Sequence, residues 1–205
     1  MLERDNYINT ALREKIEKAF LLKGWKRNGF ELLGIRWEED QDQDIMNDLL
    51  VGIDDDDIVV VTGSTDPGIK YASKTGRINK DGTAHLCYGR YPDVYMIGMH
   101  GSGANKHEAF CQAGDLTVWR DFDGNLKYNI DGGDRIVTGN YFGVNLHANL
   151  STVLSKQNKI GGWSAGCQIT STLDDLKKLL AMAKKSKKRK FTYSLLSKDE
   201  IKTLA

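Results

Sequence analysis

The sequence predicts a β-rich α+β fold with helices at both ends, on three observations. Residues 8–23 place Ile8, Leu12, Ile16, Ala19 and Phe20 on one helical face and Lys and Glu on the other. From residue 30 to 120, apolar, β-branched and aromatic residues come in short bursts broken by Gly and Asp turn signals. After Thr172 a second helical stripe appears, Leu173, Leu176, Leu179, Leu180 and Ala183, followed by a strand-like run and a final capping box.

The chain in order gives each element. Gly24 is a fitting C′ stop for the first helix. That helix reads as an N-terminal extension over 1–25, with the catalytic domain over 26–205. Phe30 to Trp37 reads as a strand with a bulge at Gly34. Between Glu38 and Asp57 stand ten acidic residues and no basic one, which reads as a solvated loop. Asp40, Asp42 and Asp44 mimic a calcium loop, but Ile45 and Val51 replace its Gly and Glu. Ile58 to Thr62 is a β-branched strand entering a turn at Ser64–Gly68. Leu86, Tyr88, Val94, Tyr95 and Ile97 read as strands around a turn at Gly89–Asp93. Phe110–Gln112 and Leu116–Trp119 are short strands, Asp123-Gly124 a hairpin signal, and 131–134 another loop. Thr172 caps the late helix, whose C-terminal end carries the basic cluster 184–190. Phe191–Leu196 is a closing strand, and Ser197 with Glu200 opens a last helix.

Composition narrows the function classes. At 205 residues with 40% apolar content, one domain or one domain plus an extension is expected. A net charge of +1 supplies no global field for nucleic acid. Cys87, Cys111 and Cys167 are an odd set, so at least one thiol is free. No apolar run reaches the length of a membrane span. Met1–Asp5 shows no apolar signal region, so the expectation is synthesis in the cytoplasm and release or export by another route.

The chemistry concentrates between Tyr141 and Thr170. His147 ends a short apolar run, and Cys167 sits in the small-residue turn Trp163-Ser164-Ala165-Gly166. A thiol attacks as thiolate and needs a partner that lowers its pKa from about 8.5. His147 is that candidate. A catalytic thiolate of this kind stays reactive at mildly acidic pH, whereas a buried structural thiol does not. N–H groups around Gly166 and Cys167 are candidates to face an oxyanion.

These residues resemble the catalytic motif of the L,D-transpeptidase family. His147 matches the family's His, Ser164 its hydroxyl residue, Gly166 its Gly and Cys167 its nucleophile, with sixteen residues between His147 and Ser164. Two positions depart from the pattern: Ala165 stands where His is frequent, and Ile169 where Arg or Asn is usual. The second departure implies either weaker binding of a substrate carboxylate or a shift of that role elsewhere. Segments around Thr65–Gly68, Gly98–Gly101, Val118–Asp121 and Phe191–Leu196 are similar to phage-type cell-wall proteins. The resemblance implies a mostly antiparallel β-sandwich-like core with His147 and Cys167 on adjacent strands in hydrogen-bond reach, and Ser164 orienting the imidazole or a water. It implies a cysteine peptidase or transpeptidase acting on peptidoglycan stem peptides, with no cofactor and no nucleic-acid partner. Trp163, Ala165, His100 and Arg120 are its candidate substrate contacts; Arg120 has an ion pair with Asp131 as its structural alternative.

Other readings stand beside this one. A lone Cys after Gly also serves as a small buried hydrophobe. A non-catalytic binding module on the same fold needs none of this chemistry. A zinc peptidase requires dispersed ligands such as His100, an Asp and His147, because no His-Glu-x-x-His or Cys-x-x-Cys occurs.

Overall fold

The computed structural model describes residues 11–37, 44–72, 74–124, 132–151 and 158–202. Eight strands close into a barrel: β1 (Glu31–Arg36), β11 (Phe191–Ser197), β5 (Gly89–His100), β6 (His107–Gln112), β9 (Leu146–Ala148), β10 (Gln168–Thr170), β3 (Ile58–Ser64) and β2 (Asp48–Ile53), which returns to β1. Only β1–β11 and β9–β10 run parallel among these pairs. A separate three-stranded antiparallel sheet holds β4 (Thr83–Leu86), β7 (Leu116–Asp121) and β8 (Arg135–Gly139). The α+β class and the mostly antiparallel pairing hold. The main sheet curls until it closes, so the two layers of a sandwich are opposite walls of one barrel.

Both faces of the first two strands are buried, and alternation explains how. Leu32, Leu50, Val61, Tyr193 and Leu195 join one large core with Tyr95, Phe110 and Leu146. Leu33, Ile35, Leu49, Val51, Ile53 and Leu196 point the other way, under helix α1 (Ala11–Leu22). Leu12, Ile16, Ala19 and Phe20 of α1 fill that second core, so the expected N-terminal helix lies directly on the barrel wall. Ile8 lies outside the described residues. Gly24 ends the helix with φ +66, and the Trp25 N–H closes back on the Phe20 carbonyl at 2.9 Å.

Three helices follow: the single turn α2 (Ile69–Ala72), then α3 (Leu173–Lys185) and α4 (Lys198–Lys202). Thr172 caps α3 by accepting the Asp175 N–H at 3.1 Å, and Leu176, Leu179 and Leu180 join the barrel core. Ser197 and Glu200 form the expected capping box, with the Ser197 N–H donating to Glu200 Oε2 at 2.7 Å. In the basic cluster, Lys184 pairs with Glu108 at 2.6 Å and Lys188 donates to the Asn28 carbonyl.

Several local readings change. The acidic stretch is not wholly a solvated loop, because it contains β2, whose Asp48 is buried and accepts the Trp37 and Thr65 N–H groups at 2.7 and 2.6 Å. Asp44 likewise binds the Ile69 and Gly161 N–H groups, while Asp40 and Asp42 lie outside the described residues. The turn expected at Gly89–Asp93 is part of β5; Pro92 is accommodated where the pairing with β11 shifts register, and Asp93 has φ +50. No bulge occurs at Gly34, whose register with β2 and β11 is regular. Its glycine is required by space: a Cβ there would lie 2.1 Å from the Tyr193 hydroxyl and 2.9 Å from Leu195.

Gly34→Ala is therefore expected to destabilise the fold by about 1–3 kcal/mol through overpacking. Melting should fall by roughly 2–4 °C per kcal/mol for a chain of this size. Combining it with Tyr193→Phe, which removes the nearest atom, should recover part of the loss. Equal melting of Gly34→Ala and wild type would refute this account.

Candidate active site

The candidate nucleophile sits on a turn held by its own side chains and by the small sheet. Ser164 Oγ donates to the Cys167 carbonyl at 2.7 Å and accepts the Gly166 N–H at 3.1 Å. The Ser164 carbonyl accepts the Gly68 N–H at 2.9 Å. Ser164 thus shapes the turn, and its hydroxyl is not the imidazole's orienting group. The Gly166 N–H is used by Ser164 and does not face an oxyanion. Gly166 has φ +134, and a Cβ on it would lie 2.6 Å from the Ala84 carbonyl of β4. Only glycine satisfies both the dihedral and that close approach.

Cys167 immediately precedes β10, and the pairing Gln168↔Leu146 sets it beside Asn145 at the start of β9. The Asn145 N–H donates to Cys167 Sγ at 3.4 Å, and the thiol donates to the Gly143 carbonyl at 3.4 Å. Burial pushes the thiol up to about 11; the Asn145 N–H opposes this, and the neighbouring Cys111 adds to it. The free protein therefore holds a thiol, not a thiolate.

His147 lies on β9 and is buried. Its Nδ1 stands 3.1 Å from the Ala148 carbonyl, which suits an Nδ1–H donor. The His100 ring stacks on it, centroids 4.0 Å apart and planes 16° apart, and His107 approaches at 6.0 Å. Burial first, then His100, drives His147 down to about 3, against the pull of the Ala148 and Trp163 carbonyls. His100 is lowered by burial and by His107. His107 Nε2 accepts the Ala148 N–H at 3.2 Å while its Nδ1 lies 2.7 Å from the Asn105 carbonyl, a pattern that fits a neutral ring.

The expected strand adjacency is present, since β9 and β10 pair in parallel. His147 pairs with Ile169, two residues on from Cys167, so the period of two sets imidazole and sulfur on one face. The direct hydrogen bond expected between them is not made: their partners are Ala148 on one side and Asn145 and Gly143 on the other. The polar connection runs instead from Cys167 to the Asn145 backbone, then from the Asn145 amide to His100 Nδ1 at 3.0 Å, and by stacking to His147. Asn145 and His107 were not singled out in the sequence. The pairing His100↔His107 across the β5–β6 hairpin gathers the rings, and no spacing rule reveals it.

The remaining candidates fall on two sides of the turn. Trp163 packs with Met46, Ile160 and Ile169. Ile169 is buried there, which explains why an Arg does not suit its position. Ala165 and Arg120 line an open cleft of about 110 Å³ together with Gly82, Thr83, Ala84 and Phe142. The Arg120 guanidinium lies 5.1 Å over the Phe142 ring and donates to the Gly82 carbonyl at 3.1 Å. Among the described residues it forms no ion pair at contact distance, although the Asp81 charge acts on it, and Asp131 lies outside them. Its burial lowers its proton affinity.

Among the described residues, the one set of three His, Cys, Asp or Glu donors that converges is Asp121, Asp123 and Asp134, so the dispersed His100–Asp–His147 zinc set is not assembled. No described helix is long and apolar enough to cross a membrane. Comparison with family models, with curated proteins and with solved structures finds no match.

These pKa directions reverse the expected acid-range reactivity. Alkylation at Cys167, followed by peptide mapping, should accelerate about tenfold per pH unit between neutrality and pH 10, tracking the rising thiolate fraction. A rate plateau extending below pH 6 would show an ion pair that this geometry does not contain.

Proposed function

We propose that this protein is a cysteine-dependent acyl transferase or hydrolase of peptidoglycan stem peptides, acting through a Cys167 thioester. The observation that carries the reading is the placement of Cys167 on a glycine-constrained turn, on the same sheet face as His147 and beside a cleft containing a buried arginine. Its L,D-type specificity, at the bond between the third residue's L-centre and a following D-residue, rests on the likeness of His147, Ser164, Gly166 and Cys167 to the L,D-transpeptidase motif.

In this reading the resting pair is neutral. Burial raises the thiol and lowers the imidazole, which disfavours an ion pair formed before attack. Proton transfer therefore accompanies attack: the sulfur bonds to the acyl carbon as its proton passes to His147 Nε2, the nitrogen opposite the Ala148 contact. That proton is then given to the leaving amine, and the thioester is resolved by water or by an acceptor amine. Arg120 binds the substrate carboxylate, the role that Ile169 does not fill. A guanidinium with one of its five N–H donors on a carbonyl has donors left for a carboxylate.

One observation favours a second reading, a binding module on the same fold. Cys167 and His147 share no hydrogen bond, as expected of a thiol that only packs. Purified muropeptides incubated with the protein and read by mass spectrometry separate the two. Loss of a terminal D-residue or a new cross-link supports the enzyme; unchanged muropeptides support the binding module.

Cys167→Ala should abolish turnover while costing about 1 kcal/mol of stability, as a small truncation in a turn does. His147→Ala should match it in rate, and Cys87→Ala and Cys111→Ala should retain turnover. Wild-type rates in Cys167→Ala would end the thiol mechanism.

Arg120→Ala should raise KM about tenfold or more, the worth of one hydrogen bond to a charged group. Arg120→Lys should fall between, because a lysine supplies the charge without the planar fork. Substrates whose terminal carboxylate is amidated should lose this sensitivity. An unchanged KM for Arg120→Ala would place the carboxylate elsewhere.

A further inference from the structure

The β7–β8 hairpin carries a feature that the thiol chemistry does not use. Asp121 ends β7, Asp123 follows in the loop, and Asp134 directly precedes β8. One carboxylate oxygen from each lies within 4.8 Å of the others. Asp121 and Asp134 are buried, at 1% and 8% exposure.

Asp134 points to what the cluster is for. Its Oδ1 accepts the Phe122 N–H at 2.6 Å and the Asp123 N–H at 3.3 Å. Its Oδ2 is buried and, among the described residues, has no hydrogen-bond partner. A buried carboxylate oxygen left without a donor is costly, and two further carboxylates beside it raise that cost. Arg77 donates to the Phe122 carbonyl at 2.6 Å and covers its ring, Arg135 pairs with Asp81 at 2.9 Å, and Arg120 donates to Gly82.

We propose that Asp121, Asp123 and Asp134 bind a calcium ion. The donors are all oxygen, which favours a hard cation over zinc, and no His or Cys belongs to the set. Two oxygens on one Ca²⁺ at 2.3–2.6 Å stand no more than about 5 Å apart, and the observed 4.8 Å limit meets that. Mg²⁺ demands a stricter octahedron, while Ca²⁺ completes an irregular shell with waters. The ion would fasten the base of the β7–β8 hairpin. Asp121 pairs with Thr83 across the sheet, next to Arg120, so the same ion would steady one wall of the cleft.

The test uses the full chain, stripped with a chelator and dialysed. Millimolar Ca²⁺ should raise its melting temperature saturably, with a matching calorimetric binding isotherm of about one ion per chain. Asp134→Asn keeps an Oδ1 acceptor for the Phe122 N–H but removes the charge, and should weaken Ca²⁺ at least about tenfold, as loss of a metal-site partner does. Should that variant fail to fold, Asp123→Asn, on the half-buried loop position, should weaken binding likewise. Absence of both a melting shift and binding heat with Ca²⁺ would overturn the site. So would wild-type affinity in both folded variants, or a stoichiometric preference for Zn²⁺ over Ca²⁺. These readouts do not depend on turnover, so they stand or fall apart from the thiol mechanism.

Discussion

The architecture around the site depends on one buried cation. Arg36, at the end of β1, is 2% exposed, donates from Nε to Thr65 Oγ1 and from Nη2 to the Thr65 carbonyl, both at 2.9 Å, and lies 3.3 Å from Asp66. Asp48 accepts the Thr65 N–H and hydroxyl from the other side. Burying such a group is tolerable only with its partners in place. The cluster therefore fixes the 64–68 turn, and Gly68 in that turn donates to the Ser164 carbonyl. Gln168, next to Cys167, is tied in as well, since its amide reaches the Thr65 carbonyl at 3.4 Å and Tyr193 donates to it at 2.8 Å. Asp48 feels the crowding: burial, and then the Asp66 charge, push it up to about 6 against the pull of its donors and Arg36. The position of Cys167 is thus referred back to a charge in the barrel wall.

The same economy of space sets the electrostatics of the site. Burial disfavours the charged forms of His147 and His100, and the neighbouring rings add to the effect. A ring held neutral in this way is available as a proton acceptor, but a weak one. The sulfur is likewise held as thiol by burial. A resting neutral pair protects a free thiol from oxidation, which requires thiolate character. The stack of His100 on His147 and the contact of His147 Nδ1 with the Ala148 carbonyl together hold the imidazole's orientation.

Elements with strong local signals were legible in the sequence. The capping residues Thr172 and Ser197, the stop at Gly24 and the β-branched run from Ile58 act within a few residues, and the structure places each as its local chemistry requires. Strand β2 was hidden because its Leu-Leu-Val core is embedded among acidic residues, one of which, Asp48, is buried by partners distant in sequence. Gly34 looked like a bulge because its actual constraint, the Tyr193 hydroxyl, comes from the far end of the chain. Cys167 and His147 stand out in the sequence through a turn and a spacing that resemble the L,D-transpeptidase motif, and the β9–β10 pairing brings their segments side by side. The role of Ser164 was not legible, because a hydroxyl next to a nucleophile satisfies either the ring or the turn, and only the coordinates choose the turn. The histidine stack depends on a hairpin register that no local pattern encodes.

The two sheets contribute unequally, and this bears on how such a site is assembled. The barrel alone supplies Cys167 and His147, but the cleft beside them needs the small sheet, whose β4 carbonyl at Ala84 abuts Gly166. Arg120 reaches the cleft from β7, and Phe142, under its guanidinium, comes from the segment leading into β9. The core itself bridges the units, because Ala84, Leu86, Leu116 and Val118 belong to the same buried cluster as the barrel's Tyr95 and Phe110. Docking of the small sheet is therefore part of folding rather than a later motion, and a well-packed interface of this kind has few intermediate positions. Changes that loosen the small sheet should reach Cys167 through the Gly166–Ala84 contact, where no side chain stands between the two backbones to absorb the shift.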